Sequence, residues 1–127
     1  MRTMPIPDSV DHVLLEEETI RARTEVLAEQ ISRDYAGSKL LLVCILRGGV
    51  LFLTDLMRAI TIPMAVDFLA INNYGAQQQP GAVRILKDLE ESVAGRHVLF
   101  VEDMIDTGLT LNYLLRVLRE RQPASLQ

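Results

Sequence analysis

Residues 40–46 of this 127-residue chain are uniformly apolar: Leu40-Leu41-Leu42-Val43-Cys44-Ile45-Leu46. A strand without a polar face is typical of a parallel sheet, because such a sheet is covered on both sides. Arg47-Gly48-Gly49 ends this run. The next apolar residues have the spacing of an amphipathic helix: Leu53, Leu56, Met57 and Ile60. The segment therefore predicts a strand, a tight turn and a helix.

Strands and helices alternate on both sides of this unit. The patterning predicts helices at about 16–35 and 109–121 and strands at about 64–71, 83–86 and 97–101. Residues 72–81 are polar, with two glycines and a proline, and are predicted to form a long loop. We therefore expect an α/β fold with three layers, in which helices flank a mostly parallel central sheet.

Composition excludes several classes of protein. Hydrophobic residues make up 49% of the chain, which excludes global disorder and is enough for one domain spanning residues 1–127. The net charge of −4 argues against a nucleic-acid or membrane partner. No apolar stretch reaches the roughly 20 residues of a membrane span, and the N-terminus lacks a signal-peptide core, so we expect a cytoplasmic location. The single cysteine, Cys44, is expected to be an inert core thiol.

Residues 98–111 place polar groups directly after an apolar strand. Glu102 and Asp103 end the strand, and Asp106-Thr107-Gly108 leads into the last helix. Adjacent carboxylates can accept hydrogen bonds from a vicinal diol, and the turn from Thr107 to Thr110 presents backbone N–H groups to an anion. This pattern suggests sugar phosphate binding. The alternative is that these residues only cap the helix or are solvated.

The same stretch closely resembles the phosphoribosyl diphosphate motif of type I phosphoribosyltransferases, and in particular the hypoxanthine-guanine phosphoribosyltransferase family. Residues 45–49 resemble the family's pyrophosphate loop, residues 73–75 the start of its mobile catalytic loop, and residues 83–89 the strand that follows that loop. A lysine is common in the family at the position of Arg47, so the positive charge is kept with a different donor geometry.

The resemblance implies a role for each matching residue. Glu102 and Asp103 would bind the ribose hydroxyls and Mg²⁺. The 5′-phosphate would be bound by Asp106, Thr107, Gly108, Leu109 and Thr110. Pyrophosphate would be bound by Leu46, Arg47 and Gly48, and the peptide bond between Leu46 and Arg47 can be cis in this family.

Two residues would act in catalysis. Asp106 would lie beside the purine as a general acid or base, and Tyr74 would close over the reacting centre and exclude water. The implied reaction is a Mg²⁺-dependent transfer of the 5-phosphoribosyl group from phosphoribosyl diphosphate to hypoxanthine or guanine, giving IMP or GMP and pyrophosphate in purine salvage. Xanthine remains an alternative base.

Members of this family extend beyond the position that corresponds to Gln127. In them the further residues recognise the base, so we expect a chain in which the C-terminal strands and the base-recognition residues are missing. We also expect the sheet to end at Val101, with an apolar edge left open. A homo-oligomer, either a dimer or a tetramer, is expected by analogy. Activity of the chain alone is doubtful on this interpretation, and an inactive fragment is one alternative.

Three other functions are alternatives to this enzyme. A phosphorylated receiver domain also has an acidic pair, but it places that pair after its first strand, whereas few residues follow Asp103 here. A non-catalytic, RNA-binding regulator that keeps the phosphoribosyl diphosphate motif would need a concentrated basic face. A nucleoside-triphosphate hydrolase would need a Gly-rich loop ending in Lys-Ser or Lys-Thr, which the sequence lacks.

Overall fold

The computed structural model describes residues 5–73 and 83–127. In these two ranges, three helices, α1 (Glu17–Asp34), α2 (Val50–Ala59) and α3 (Leu109–Arg119), alternate with the strands. The strands are β1 (Leu40–Leu46), β2 (Met64–Asn73), β3 (Val83–Lys87), β4 (His97–Val101) and β5 (Ser125–Leu126). The predicted loop at 72–81 lies largely outside the described residues. In the parts described, no helix combines the length and apolar character that a bilayer crossing requires.

The strands form one sheet in the order β3-β2-β1-β4-β5. β1 is parallel to β2 and β4, and β5 is parallel to β4; of the strands described, β3 alone runs antiparallel, against β2. This confirms the mostly parallel sheet. The expectation that the sheet ends at Val101 is wrong, because Ser125–Leu126 pairs with the first two residues of β4.

The buried central strand divides the core into two halves. Leu40, Leu42 and Cys44 face the layer formed by α1 and α2. Leu41, Val43 and Ile45 face the layer that contains α3. Because successive side chains of a strand point to opposite faces, an uninterrupted apolar run fills both halves at once. The three predicted layers are confirmed.

The predicted burial of Cys44 is also confirmed, since its side chain is fully buried. Burial, together with the negative charges of Glu102 and Asp103, raises the pKa of this thiol to about 11. A thiol needs its deprotonated form to react, so this pKa agrees with a structural role.

The connection after β3 is held by two carboxylates. Asp67, which is 4% exposed, accepts the backbone N–H groups of Glu90 and Glu91 through Oδ2, both at 2.8 Å. Asp88 forms a bidentate ion pair with Arg121 at 2.8 and 2.7 Å. These contacts fasten the connection to β2 on one side and to the region just after α3 on the other. They therefore fix the path by which the chain enters β4.

We expect Asp67→Ala to lower the free energy of unfolding by about 3 kcal/mol, because the backbone N–H groups of Phe68, Glu90 and Glu91 lose a charged acceptor in a buried setting. Urea denaturation of the purified chain measures this change. The matched control is Asp55→Ala, which removes an exposed carboxylate from α2 and should change the value by less than about 0.5 kcal/mol. Equal effects of the two variants would contradict the role given to Asp67.

Candidate active site

Two loops meet at the carboxyl edge of the sheet. Residues 47–49 connect β1 to α2, and residues 102–108 connect β4 to α3. β1 and β4 are parallel neighbours with Cys44 opposite Val101, so the loops leave the sheet side by side. A β-carbon built on Gly48 would lie 3.5 Å from Oδ1 of Asp103. The structure therefore brings the predicted pyrophosphate loop against the predicted ribose-binding carboxylates.

The first of these loops begins with a cis peptide bond between Leu46 and Arg47, as the resemblance implies. Leu46 is half-buried at the end of β1, whereas Arg47 and Gly48 are exposed. Within the described residues the Arg47 guanidinium forms no ion pair. This positive charge is therefore available to an anion that approaches the loop.

The two carboxylates at the start of the second loop have different surroundings. Glu102 is half-buried and Asp103 is exposed. Burial raises the pKa of the Glu102 carboxyl, and its hydrogen bond with Asp103 raises it further. One Glu102 oxygen also accepts the backbone N–H of Asp103 at 3.1 Å. A hydroxyl donor or a cation beside this pair would favour the charged form.

The rest of the second loop surrounds a cavity of about 250 Å³. Five predicted site residues line it: Glu102, Asp106, Thr107, Gly108 and Thr110. Leu109, also predicted, does not line it, and this residue is 64% exposed. Its backbone N–H donates to the hydroxyl of Thr107 at 3.3 Å. The cavity lies at the N-terminal end of α3, where a helix favours negative charge.

Gly108 shapes the entry into α3. Its φ of 78° lies in the left-handed region, which strongly favours glycine. The turn at this position sends the chain from the loop directly into the helix. The backbone at the start of α3 consequently lies beside the cavity, which Gly108 and Thr110 line.

Sequence reasoning did not assign four apolar residues around the same cavity to the site. Ile45 near the end of β1 and Leu111 of α3 line it, as do Met104 and Ile105 of the second loop. Met104 and Ile105 are 76% and 63% exposed. The signal that could have identified them is an apolar pair inside an otherwise polar loop. Tyr74, predicted to be catalytic, lies outside the described residues.

The donor set at this edge fits one kind of metal site. Within the described residues no group of three or more metal-ligating side chains is gathered in one place. Glu102 and Asp103 are adjacent carboxylates next to the loop predicted to bind pyrophosphate. Mg²⁺ is commonly bound by one or two carboxylates together with substrate phosphates. The pair therefore fits a Mg²⁺ ion that arrives with a phosphorylated substrate.

Comparison with known proteins agrees with this geometry. The phosphoribosyl transferase domain family matches residues 14–127. The hypoxanthine-guanine phosphoribosyltransferase of Mycobacterium tuberculosis is 48% identical over 128 residues, which cover 95% of this chain and 63% of that protein. The hypoxanthine-guanine-xanthine phosphoribosyltransferase of Tritrichomonas foetus is 37% identical over 127 residues, covering 100% of this chain and 69% of that protein.

A solved structure also matches the fold. It is the hypoxanthine phosphoribosyltransferase of Trypanosoma cruzi in complex with the product IMP, with a TM-score of 0.87 and 36% identity, covering 98% of this chain and 71% of that one. The chain thus spans less than two thirds of the length of the Mycobacterium relative. The family match, the fold and the two adjoining loops lead to one conclusion: the chain belongs to the phosphoribosyltransferase family and is similar, within it, to the hypoxanthine-guanine phosphoribosyltransferases.

Proposed function

We propose that this protein acts in purine salvage, by Mg²⁺-dependent transfer of the 5-phosphoribosyl group from phosphoribosyl diphosphate to hypoxanthine or guanine. The products are IMP or GMP and pyrophosphate. The observation that carries the proposal is the contact between residues 47–49 and residues 102–108 at the carboxyl edge of the sheet. The relatives named above support the choice of substrates, since their names specify these bases.

The proposed binding mode assigns one part of the substrate to each group of residues. The carboxylates of Glu102 and Asp103 accept hydrogen bonds from the two ribose hydroxyls. The 5′-phosphate occupies the cavity at the start of α3, where backbone N–H groups of residues 106–110 and the hydroxyls of Thr107 and Thr110 donate to it. The pyrophosphate lies against Leu46, Arg47 and Gly48, with the Arg47 guanidinium donating to it.

Transfer of the phosphoribosyl group builds positive charge on the ribose as the bond to pyrophosphate breaks. Glu102 and Asp103 lie where this charge would develop, so their negative charge stabilises the transition state. Asp106 holds or moves the purine proton as the nitrogen attacks the anomeric carbon. Glu102 and Asp103 would hold a Mg²⁺ ion, which would supply positive charge to neutralise the leaving pyrophosphate. Holding both reactants in place contributes much of the acceleration.

The proposal extends to the domain organisation, assembly, location and partners of the protein. We propose that residues 1–127 form a single phosphoribosyltransferase domain in a homo-oligomer located in the cytoplasm, with Tyr74 excluding water from the reacting centre. The partners are small molecules, phosphoribosyl diphosphate and a purine base, with no nucleic acid or membrane among them. The non-catalytic regulator is not favoured, because the relatives named above are enzymes.

The first experiment mixes the folded chain with phosphoribosyl diphosphate and hypoxanthine, guanine or xanthine, with and without Mg²⁺. Calorimetry measures binding of phosphoribosyl diphosphate, and absorbance measures nucleotide formation. We expect binding that depends on Mg²⁺ and, where turnover occurs, IMP or GMP as the product. A folded chain that binds no phosphoribosyl diphosphate would contradict the proposal. Turnover with xanthine alone would overturn the assignment of the base.

We expect Asp106→Asn to lower kcat by about 100-fold or more, because a general acid or base acts mainly in the transition state. Its affinity for phosphoribosyl diphosphate should stay within about threefold of the unmodified chain. Steady-state kinetics and calorimetry on the same preparation separate the two effects. An equal loss of binding and turnover would remove the proton-transfer role from Asp106.

We expect Thr110→Val to weaken phosphoribosyl diphosphate binding by about tenfold, because a donor to a charged phosphate is lost while the side-chain shape is kept. Calorimetry measures the affinity, and circular dichroism checks the fold. Thr24→Val on α1 is the matched control, because it removes a hydroxyl that donates to the Ile20 backbone oxygen at 2.9 Å, far from the cavity. Unchanged affinity in Thr110→Val would exclude its hydroxyl from the site.

A further inference from the structure

The sulfur of Cys44 lies beneath the place where the two site loops meet. Cys44 belongs to β1 and pairs in register with Val101, the last residue of β4. Its side chain is fully buried. The chain then turns through residues 47–49, and Gly49 comes back over the sulfur just before α2 begins at Val50.

A side chain at the position of Gly49 would meet three close atoms. A β-carbon at this position would lie 2.9 Å from Sγ of Cys44, 3.2 Å from Oε1 of Glu102 and 3.3 Å from the backbone oxygen of Val101. The first distance is shorter than carbon and sulfur atoms tolerate, and the other two are tight. The φ of Gly49 is −75°, which any residue can adopt. Space, and not backbone conformation, therefore requires glycine here.

Gly48 provides an internal comparison. A β-carbon there would lie 3.5 and 3.8 Å from the two carboxylate oxygens of Asp103, which are ordinary van der Waals distances, and no atom of Cys44 is among its near neighbours. Two adjacent glycines of one loop thus differ in their surroundings. Of these two glycines, Gly49 is the one at which a β-carbon would meet both the core sulfur and the carboxylate of Glu102.

We infer that Cys44 is a positioning residue, whose sulfur sets the separation between the pyrophosphate loop and the ribose-binding carboxylate of Glu102 through its contact with Gly49. This inference deepens the proposed function and rests on it for the ligand. Cys44 does not touch the substrate. It acts through the two groups that do, because a close-packed core transmits a change in volume at one buried atom to the groups packed against it.

The chemistry of a buried thiol suits this position. Its sulfur is held in place by packing and by a weak hydrogen bond to the Ile45 backbone oxygen at 3.6 Å. A thiol behaves as a small apolar group. It can therefore lie beside Glu102 and Asp103 without carrying a charge that would repel either carboxylate.

The test is a double-mutant cycle with Gly49→Ala, Cys44→Ala and the two combined. Gly48→Ala, alone and combined with Cys44→Ala, is the matched control for the neighbouring glycine. Ile60→Ala is a control for general loss of core packing, since Ile60 is buried at the far end of α2. All variants are compared at a temperature at which circular dichroism shows each to be folded.

The first readout needs no ligand. Amide ¹H–¹⁵N resonances of Glu102 and Asp103 should shift in Gly49→Ala and return toward their original positions in the variant that combines Gly49→Ala with Cys44→Ala. Ile60→Ala should not shift these resonances in the same way. Adding Cys44→Ala to Gly48→Ala should not return the resonances toward their original positions. Unshifted resonances in Gly49→Ala, or shifts that simply add in the combined variant, would overturn the inference whether or not the chain binds phosphoribosyl diphosphate.

The second readout is the affinity for phosphoribosyl diphosphate with Mg²⁺, measured by calorimetry. We expect Gly49→Ala to weaken binding by about tenfold and the combined variant to bind within about threefold of the unmodified chain. Ile60→Ala should destabilise the protein without weakening binding. If the combined variant binds phosphoribosyl diphosphate no more tightly than Gly49→Ala does, the inference is overturned. If the unmodified chain does not bind phosphoribosyl diphosphate, the proposed function is overturned instead.

Discussion

The parallel pairing of β1 with β4 is the constraint on which the rest of the structure depends. In this register Leu40 is opposite His97 and Cys44 is opposite Val101, so both strands end at the same edge of the sheet. Each strand is followed by a short loop and a helix on opposite faces of the sheet. The loops must therefore converge, and this convergence produces the site.

The distribution of charge at the site follows from the convergence of these two loops. The edge gathers the exposed cation of Arg47, the carboxylates of Glu102 and Asp103, and the N-terminal end of α3. The anionic phosphates are proposed to bind at the two positive groups, and the ribose at the two carboxylates. Partial burial raises the pKa of the Glu102 carboxyl. A bound hydroxyl donor or cation would favour the charged form of this carboxyl.

Glycine is required at this edge for two different physical reasons. Gly108 has a positive φ, so conformation favours glycine there. Gly49 has an ordinary φ but lacks room for a side chain, because Cys44 and Glu102 surround it. A sequence motif shows only that glycines occur. The distinction between a conformational and a packing requirement appears once the core beneath the loop is known.

The amino-acid sequence by itself determined the three layers, the approximate positions of β1 and β4, and the residues of the two loops. Apolar periodicity and local motifs depend on neighbours along the chain. Resemblance to a known family indicated the ligand chemistry of Glu102, Asp103 and Asp106. Only the tertiary structure decided that Ser125–Leu126 extends the sheet, that Met104 and Ile105 line the cavity while Leu109 does not, and that Cys44 leaves no room for a side chain at Gly49. These features depend on contacts between segments distant in sequence, which local patterns do not encode.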